Sequence, residues 1–179
     1  MYLLGQICGL IGTLITILMP QCKQKTHMSF CTAAVNGLNA LNFTLIGEFG
    51  SSVFLCLVAV VQAFVSVWHE KRKTEVKSLE TVLFFLLYVG FGVYGMTLSD
   101  GFRWVLNAKF LLELLPIIGA LMLMLSVFAK GEQKTRFFLF LNGSAWLVYT
   151  AAVGATAFFT SVAAMVSALI AMVKYRKKR

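Results

Sequence analysis

Apolar residues gather into seven runs along the chain, separated by short polar segments. The runs cover Tyr2–Met19, Met28–Gly47, Ser51–Trp68, Leu79–Leu98, Ala108–Phe128, Phe137–Val153 and Ala155–Tyr175. A helix needs about 20 apolar residues to cross a hydrocarbon core of roughly 30 Å, and backbone polar groups in lipid must be satisfied within their own segment. The pattern therefore predicts an all-α, polytopic membrane protein with seven transmembrane helices.

The connections between the runs predict how the helices are grouped. One connection, His69–Ser78, is longer and more polar than the others. It divides the chain into three spans, then one, then three. We therefore expect a first three-helix bundle over residues 1–70, a cytoplasmic linker and linker helix over 71–104, and a second three-helix bundle with a basic tail over 105–179.

The two groups of three spans resemble each other in sequence. Asn36-Gly37 recurs 106 residues later as Asn142-Gly143, and Thr44 recurs as Thr150. The single span between the groups reverses the chain, so both groups have the same orientation in the membrane. Parallel repeats related by an axis along the membrane normal are a known architecture of transporters.

Composition agrees with a membrane protein and excludes several other classes. Apolar residues make up 59% of the 179 positions and charged residues 13%, too few for a water-facing surface. The net charge of +9 is not a nucleic-acid signature, because the charges lie between the spans. We expect no metal site and no cofactor, since the four cysteines have no C-x-x-C spacing and the two histidines are far apart. We also expect no enzyme, because no nucleophile–base pair stands out.

Lys and Arg predict the orientation of the protein in the membrane. Only Arg103 and Lys109 fall on one side of the spans, and the other fourteen fall on the opposite side. These are Lys23, Lys25, Lys71, Arg72, Lys73, Lys77, Lys130, Lys134, Arg136, Lys174, Arg176, Lys177, Lys178 and Arg179. Basic loops stay in the cytoplasm. We therefore expect the N-terminus outside and the C-terminus in the cytoplasm.

Span two carries a polar face. Asn36, Asn39 and Asn42 recur every three residues, which places them on one broad side of a helix. Amides in lipid need partners, so this face points into the bundle. It can bind a polar solute at mid-membrane, or it can hold helices together, which is the commoner use.

Span six carries a second polar face. Asn142, Trp146 and Tyr149 follow one another at i, i+4 and i+7. An indole ring beside an amide can stack on a sugar-like ring and hydrogen-bond to it. An ordinary buried aromatic residue is the alternative. Weaker candidates for a solute pathway are Gln62, Ser66, Ser161 and Ser167.

The end of span one resembles a known motif. Pro20-Gln21, followed by Lys23, Lys25, Thr26 and Ser29, is similar to the PQ-loop signature. That superfamily includes the SWEET sugar facilitators, which have two three-helix bundles and a linker helix. Pro20 also lies near the end of span one, where a proline can bend a helix, and we expect Pro20 and Gln21 to form a hinge. The second half departs from the motif, because Ser126-Val127 occupy the corresponding positions.

A closer resemblance extends over nearly the whole chain. It is carried by Leu115-Pro116-Ile117-Ile118-Gly119, by Trp146-Leu147-Val148-Tyr149 and by Leu45-Ile46-Gly47. These segments resemble the YgjV-type bacterial inner-membrane proteins, a family within the same PQ-loop and SWEET-like superfamily. The resemblance implies a location in the bacterial inner membrane, and it supports the fold more than an activity.

Together these observations predict a SWEET-like facilitator of a small polar solute. The alternative is a non-transporting membrane scaffold or accessory subunit. The expected partners are the lipid bilayer and a small polar solute, with a homo-oligomer left open and nucleic acid excluded.

Overall fold

The computed structural model describes residues 2–46, 51–98, 108–153 and 157–175, and all regular secondary structure in these ranges is helical. The seven α-helices are α1 (Tyr2–Leu18), α2 (Lys25–Ile46), α3 (Ser51–Arg72), α4 (Ser78–Leu98), α5 (Ala108–Phe128), α6 (Glu132–Val153) and α7 (Ala157–Lys174). The predicted all-α, polytopic membrane fold is confirmed, and each helix lies on one of the seven apolar runs.

Local sequence explains where several helices begin and end. A short 3₁₀ helix, Met19–Gln21, follows α1 and contains Pro20, which cannot continue an α-helical hydrogen-bond pattern. Helix α3 ends beside Lys73, whose φ of 53° is the left-handed conformation typical of helix C-termini. Helix α4 begins where the Glu80 carboxylate accepts a 2.8 Å hydrogen bond from the backbone N–H of Lys77. These signals fix the turns at one end of the bundle.

The helices form two groups of three that close into a ring. Helix α2 packs against α1 and α3, and α6 packs against α5 and α7. Between the groups, α3 contacts α5 and α1 contacts α7, while α4 packs against both α3 and α5. Helices α1 and α5 begin 106 residues apart, at Tyr2 and Ala108, and so do α3 and α7, at Ser51 and Ala157. We call the two groups the first and second halves; the residue boundaries expected for them stay a prediction.

Most basic residues cluster at one end of this ring, which we call the basic end. It comprises the turns from α1 to α2, from α3 to α4 and from α5 to α6, together with the last turn of α7. A 2.8 Å ion pair between Lys130 and Glu75 joins two of these turns. Because both side chains are exposed, this ion pair contributes little to the free energy of unfolding. The hydrogen bond from Lys130 does lower the pKa of the Glu75 carboxyl. Arg103 and Arg176–Arg179 lie outside the described residues.

Among the described residues, four segments are long and apolar enough to cross a membrane: Leu3–Gln21, Ser51–Arg72, Ser78–Leu98 and Phe110–Phe128. Ser161–Lys174 is a shorter apolar helix. Helices α2 and α6 are each 22 residues long but more polar, because α2 holds three asparagines and α6 begins with Glu132-Gln133-Lys134-Thr135-Arg136. The middle helix of each half is therefore its polar one, and it packs between two neighbours.

Helix α4 packs closely against both halves through two glycines. A Cβ atom on Gly95 would lie 2.1 Å from the backbone Cα of Ser51 in α3, and one on Gly92 would lie 2.7 Å from the Ile117 side chain in α5. Nothing lies within 4 Å of the corresponding position on Gly90, which faces outward. Small residues allow helices in membranes to approach closely. The approach at Gly95 has no room for any side chain.

The contact at Gly95 predicts a difference between two substitutions in α4. Gly95→Ala forces α4 away from α3 and should lower the free energy of unfolding by about 1–3 kcal/mol, the usual effect of overpacking. Gly90→Ala adds the same methyl group in open space and should leave stability unchanged or raise it. Unfolding of the purified protein in mixed micelles measures both. Equal stabilities for the two variants would contradict this packing.

Candidate functional site

The three asparagines of α2 lie inside the first half. Asn39 and Asn42 face α1, where Cβ atoms on Gly12 and Gly9 would lie 3.2 Å and 2.9 Å from their amide atoms. Asn36 is buried and donates a 2.8 Å hydrogen bond to the Thr32 carbonyl of its own helix. The predicted shared face exists. At Asn39 and Asn42, this face of α2 is in close contact with α1.

The three predicted residues of α6 lie inside the second half. Asn142 and Trp146 both pack on Gly119 of α5, where a Cβ atom would lie 3.4 Å from Asn142 Oδ1 and 3.0 Å from Trp146 Nε1. The rings of Trp146 and Tyr149 meet edge to face, with their centroids 5.8 Å apart. The structure therefore brings this trio together, as the spacing predicted.

The two sets of residues do not meet at one place. The first set packs at the contact of α2 with α1, and the second at the contact of α6 with α5. Two buried acceptors, Asn42 Oδ1 and Asn142 Oδ1, have no hydrogen-bond partner in the described part of the chain. Unpaired acceptors are costly in an apolar environment. A role of these residues in solute binding stays a prediction.

Other polar side chains connect the two halves. Gln62 of α3 is fully buried and donates a 3.0 Å hydrogen bond to the Met124 carbonyl of α5. Its Oε1 accepts a 2.8 Å hydrogen bond from the Tyr88 hydroxyl of α4. One turn along α3, Ser66 donates to the Val127 carbonyl at 3.1 Å. We call this contact of α3 with α5 the first inter-half contact.

The contact of α1 with α7, the second inter-half contact, is also polar. The Gln21 amide donates to both the carbonyl and the hydroxyl of Ser167, at 2.9 Å and 3.0 Å. The Ser167 hydroxyl donates in turn to the Ile17 carbonyl. The predicted hinge residue Gln21 therefore holds the first half to the second.

A buried arginine strengthens the second inter-half contact. Arg136 of α6 is 2% exposed and donates to the carbonyls of Pro20 and Cys22 at 3.0 Å and 2.9 Å. Its guanidinium also lies 4.7 Å from the centroid of the Tyr175 ring. Burial lowers the pKa of the Arg136 guanidinium, but an arginine stays charged at neutral pH. A charge from one half thus binds the backbone around the predicted hinge of the other.

The turn from α3 to α4 holds a compact group of polar residues. His69 is buried, with Nδ1 2.8 Å from the Thr74 hydroxyl and Nε2 3.1 Å from the Glu80 carboxylate. Glu70 accepts a 2.6 Å hydrogen bond from Thr26 and pairs with Lys25 at 3.2 Å. The contacts of Glu70 with Thr26 and Lys25 hold the turn from α3 to α4 against α2. No group of three His, Cys, Asp or Glu residues with metal-binding geometry occurs among the described residues.

Two residues at or beside the inter-half contacts were not candidates from the sequence. Tyr88 resembles any aromatic residue of an apolar span, and Arg136 resembles a loop charge. The carbonyls that accept from Arg136 lie more than a hundred residues away in sequence. A charge just before an apolar run is too common a pattern to have identified it.

Comparison with known proteins identifies one family. Residues 3–179 match the family model Imp-YgjV, described as a bacterial inner membrane protein. No curated protein and no solved structure matches the chain.

The bond network around Gln62 predicts energetic coupling between α3 and α4. Gln62→Leu leaves the Tyr88 hydroxyl unpaired, and Tyr88→Phe leaves Gln62 Oε1 unpaired, so each should lower the free energy of unfolding by about 1 kcal/mol. In the double variant, the free energy of unfolding should fall by less than the sum of the two single effects. Unfolding in mixed micelles measures all three variants. Thr16→Val is the control, because within the described part of the chain the Thr16 hydroxyl bonds to the Gly12 carbonyl of its own helix. Strict additivity would rule out the coupling.

Proposed function

The chain belongs to the Imp-YgjV family of bacterial inner membrane proteins, and we propose that it is a facilitator of a small, neutral, polar solute. Three features support this proposal: an inner membrane family, two halves with helices at matching positions, and polar side chains within the membrane-length helices. The SWEET-like relationship indicated by Pro20-Gln21 is part of the proposal.

The observation that carries the proposal is the chemistry of the inter-half contacts. Gln62, Ser66, Gln21 and Ser167 donate to backbone carbonyls across the contacts. Such bonds exchange readily, because a solute hydroxyl or a water molecule can replace either partner. The path of the solute would run along these contacts.

The proposed motion is a rocking of one half against the other. Ser66, Ser167 and Arg136 all lie toward the basic end, so their bonds close that end in this conformer. Breaking them would open it. Pro20 sits where α1 gives way to a 3₁₀ turn, which suits the hinge role predicted from sequence.

The class of solute follows from the groups that would meet it. Amides and hydroxyls are neutral, and Asp100 is the single aspartate of the chain and lies outside the predicted spans. A neutral solute with several hydroxyl or amide groups fits this set. A proton-coupled step would need a carboxylate among these groups, and none of them is one, so passive movement is part of the proposal. The predicted binding roles of Asn36, Asn39, Asn42, Asn142, Trp146 and Tyr149 belong to the same proposal.

A second candidate function is that of a non-transporting scaffold or accessory subunit. The observation in its favour is the packed centre, where Met28, Ala59 and Tyr88 are each at most 1% exposed. Two depressions lie instead on the outer surface of α3 and α4. A stable stoichiometric partner that co-purifies in mild detergent would favour this function.

The facilitator proposal predicts flux in a purified system. Protein in liposomes should speed the entry of at least one labelled solute from a panel of sugars, nucleosides and amino acids. Liposomes with a heat-unfolded sample give the background. No flux for any solute, with protein shown to be folded, would contradict the proposal.

Cross-linking tests whether the halves must move. In a variant without the four native cysteines, the pair Ile17→Cys and Ser167→Cys joins the halves when a short bifunctional thiol reagent is added. We expect at least a tenfold loss of flux, reversed by a reductant. The matched pair Ser144→Cys and Met165→Cys joins α6 to α7 within the second half, where the native atoms lie 3.2 Å apart. Equal effects of the two cross-links would exclude rocking.

A further inference from the structure

The outer surface of α3 and α4 carries an apolar groove of about 260 Å³. Its walls include Leu57 and Val61 of α3 and Leu87 and Phe91 of α4. A shallower depression over Gly90 adjoins it and shares Leu87 and Phe91. Every residue that lines the groove has a hydrocarbon side chain, so whatever occupies the groove must be hydrocarbon as well.

An exposed apolar stripe runs from this groove along α3 toward the basic end. Leu57, Val61, Phe64 and Trp68 follow at i, i+4, i+7 and i+11, and each is about half exposed. At the end of the stripe, the Arg72 guanidinium lies 4.5 Å from the centroid of the Trp68 ring. Trp is typical of the membrane–water interface. The stripe thus connects an interfacial cation to the groove.

The charge at this corner is not compensated by the protein. The three nearby carboxylates are engaged elsewhere: Glu70 with Lys25, Glu75 with Lys130 and Glu80 with His69. Four cations, Lys71, Arg72, Lys73 and Lys77, form no ion pair with any residue in the described ranges. An anion beside Arg72 would therefore meet a strongly positive surface.

The distance from the cation to the groove matches one lipid leaflet. At 1.5 Å per helical residue, Val61 lies about 10 Å and Leu57 about 16 Å from Trp68 along α3. Half of the hydrocarbon core is about 15 Å thick. A chain that starts beside Trp68 would end in the groove near the bilayer midplane.

The geometry points to a binding site for an anionic phospholipid of the leaflet at the basic end. Its phosphate lies on Arg72, and one acyl chain follows the stripe of α3 into the groove between α3 and α4. The phosphate supplies the missing negative charge, and the chain supplies the hydrocarbon. A second copy of the protein would fill the groove but would not neutralise Arg72, so the lipid explains both features. This site does not depend on the proposed transport function.

Native mass spectrometry of the delipidated protein tests the site. Phosphatidylglycerol and phosphatidylcholine of the same acyl composition are added in equal amounts, and the retained lipid is counted. We expect phosphatidylglycerol to be retained at least about fivefold better, the effect of one cation near a membrane surface. Arg72→Gln should clearly reduce this preference, although Lys71, Lys73 and Lys77 keep the corner positive. Lys134→Gln, which removes an exposed cation on α6, should leave it unchanged.

Two further measurements distinguish binding of the acyl chain from binding of the headgroup. Val61→Phe narrows the groove and should lower retention of both lipids while leaving the preference intact. Glycerol phosphate, which has the headgroup chemistry without chains, should not compete with the lipid. Equal retention of the two lipids, equal effects of Arg72→Gln and Lys134→Gln, full competition by glycerol phosphate, or a dimer without bound lipid would each overturn the proposal.

Discussion

Polar groups in a membrane interior must find partners within the protein, and Gln62 shows how this requirement organises the structure. Its amide donates to the Met124 carbonyl of α5 and accepts from the Tyr88 hydroxyl of α4. One fully buried side chain therefore joins the first half, the second half and α4. Because the alternative is an unpaired amide among hydrocarbon, this arrangement fixes the position and rotation of three helices. The close approach of α4 at Gly92 and Gly95 then follows from its place between α3 and α5.

The same requirement is met differently within the halves and between them. Within each half, an asparagine packs on a glycine of the neighbouring helix, as Asn42 does on Gly9, so the contact depends on shape. Between the halves, Gln62, Ser66 and Ser167 donate to backbone carbonyls. A contact that depends on shape resists sliding, whereas a side chain bonded to a carbonyl can exchange it for another acceptor. Under the proposed rocking, we therefore expect the contacts within each half to persist and the hydrogen bonds between the halves to exchange.

The helices were predictable from sequence because the bilayer sets their length. Predicted bounds such as Ser51 and Phe128 coincide with those observed, since a run of apolar residues and a helix of spanning length are the same constraint. Side-chain partners were harder to predict. Periodicity places Asn142 and Trp146 on one face but does not say that this face meets Gly119. Arg136 binds carbonyls from the other half, and no local pattern specifies an acceptor so distant in sequence.

This difference between halves and inter-half contacts bears on which residues a solute would meet. If each half moves as one body, the contact of Asn142 with Gly119 stays closed throughout the motion, and its unpaired Oδ1 never reaches the path. Gln62 and Ser66 change partners in the same motion, because their acceptors belong to the opposite half. A solute would then replace the carbonyls of Met124 and Val127 as the partner of these side chains. Transport by rocking therefore favours the polar residues of α3 over the asparagines of α2 and α6, and Asn142 could take part only if α6 also moved away from α5.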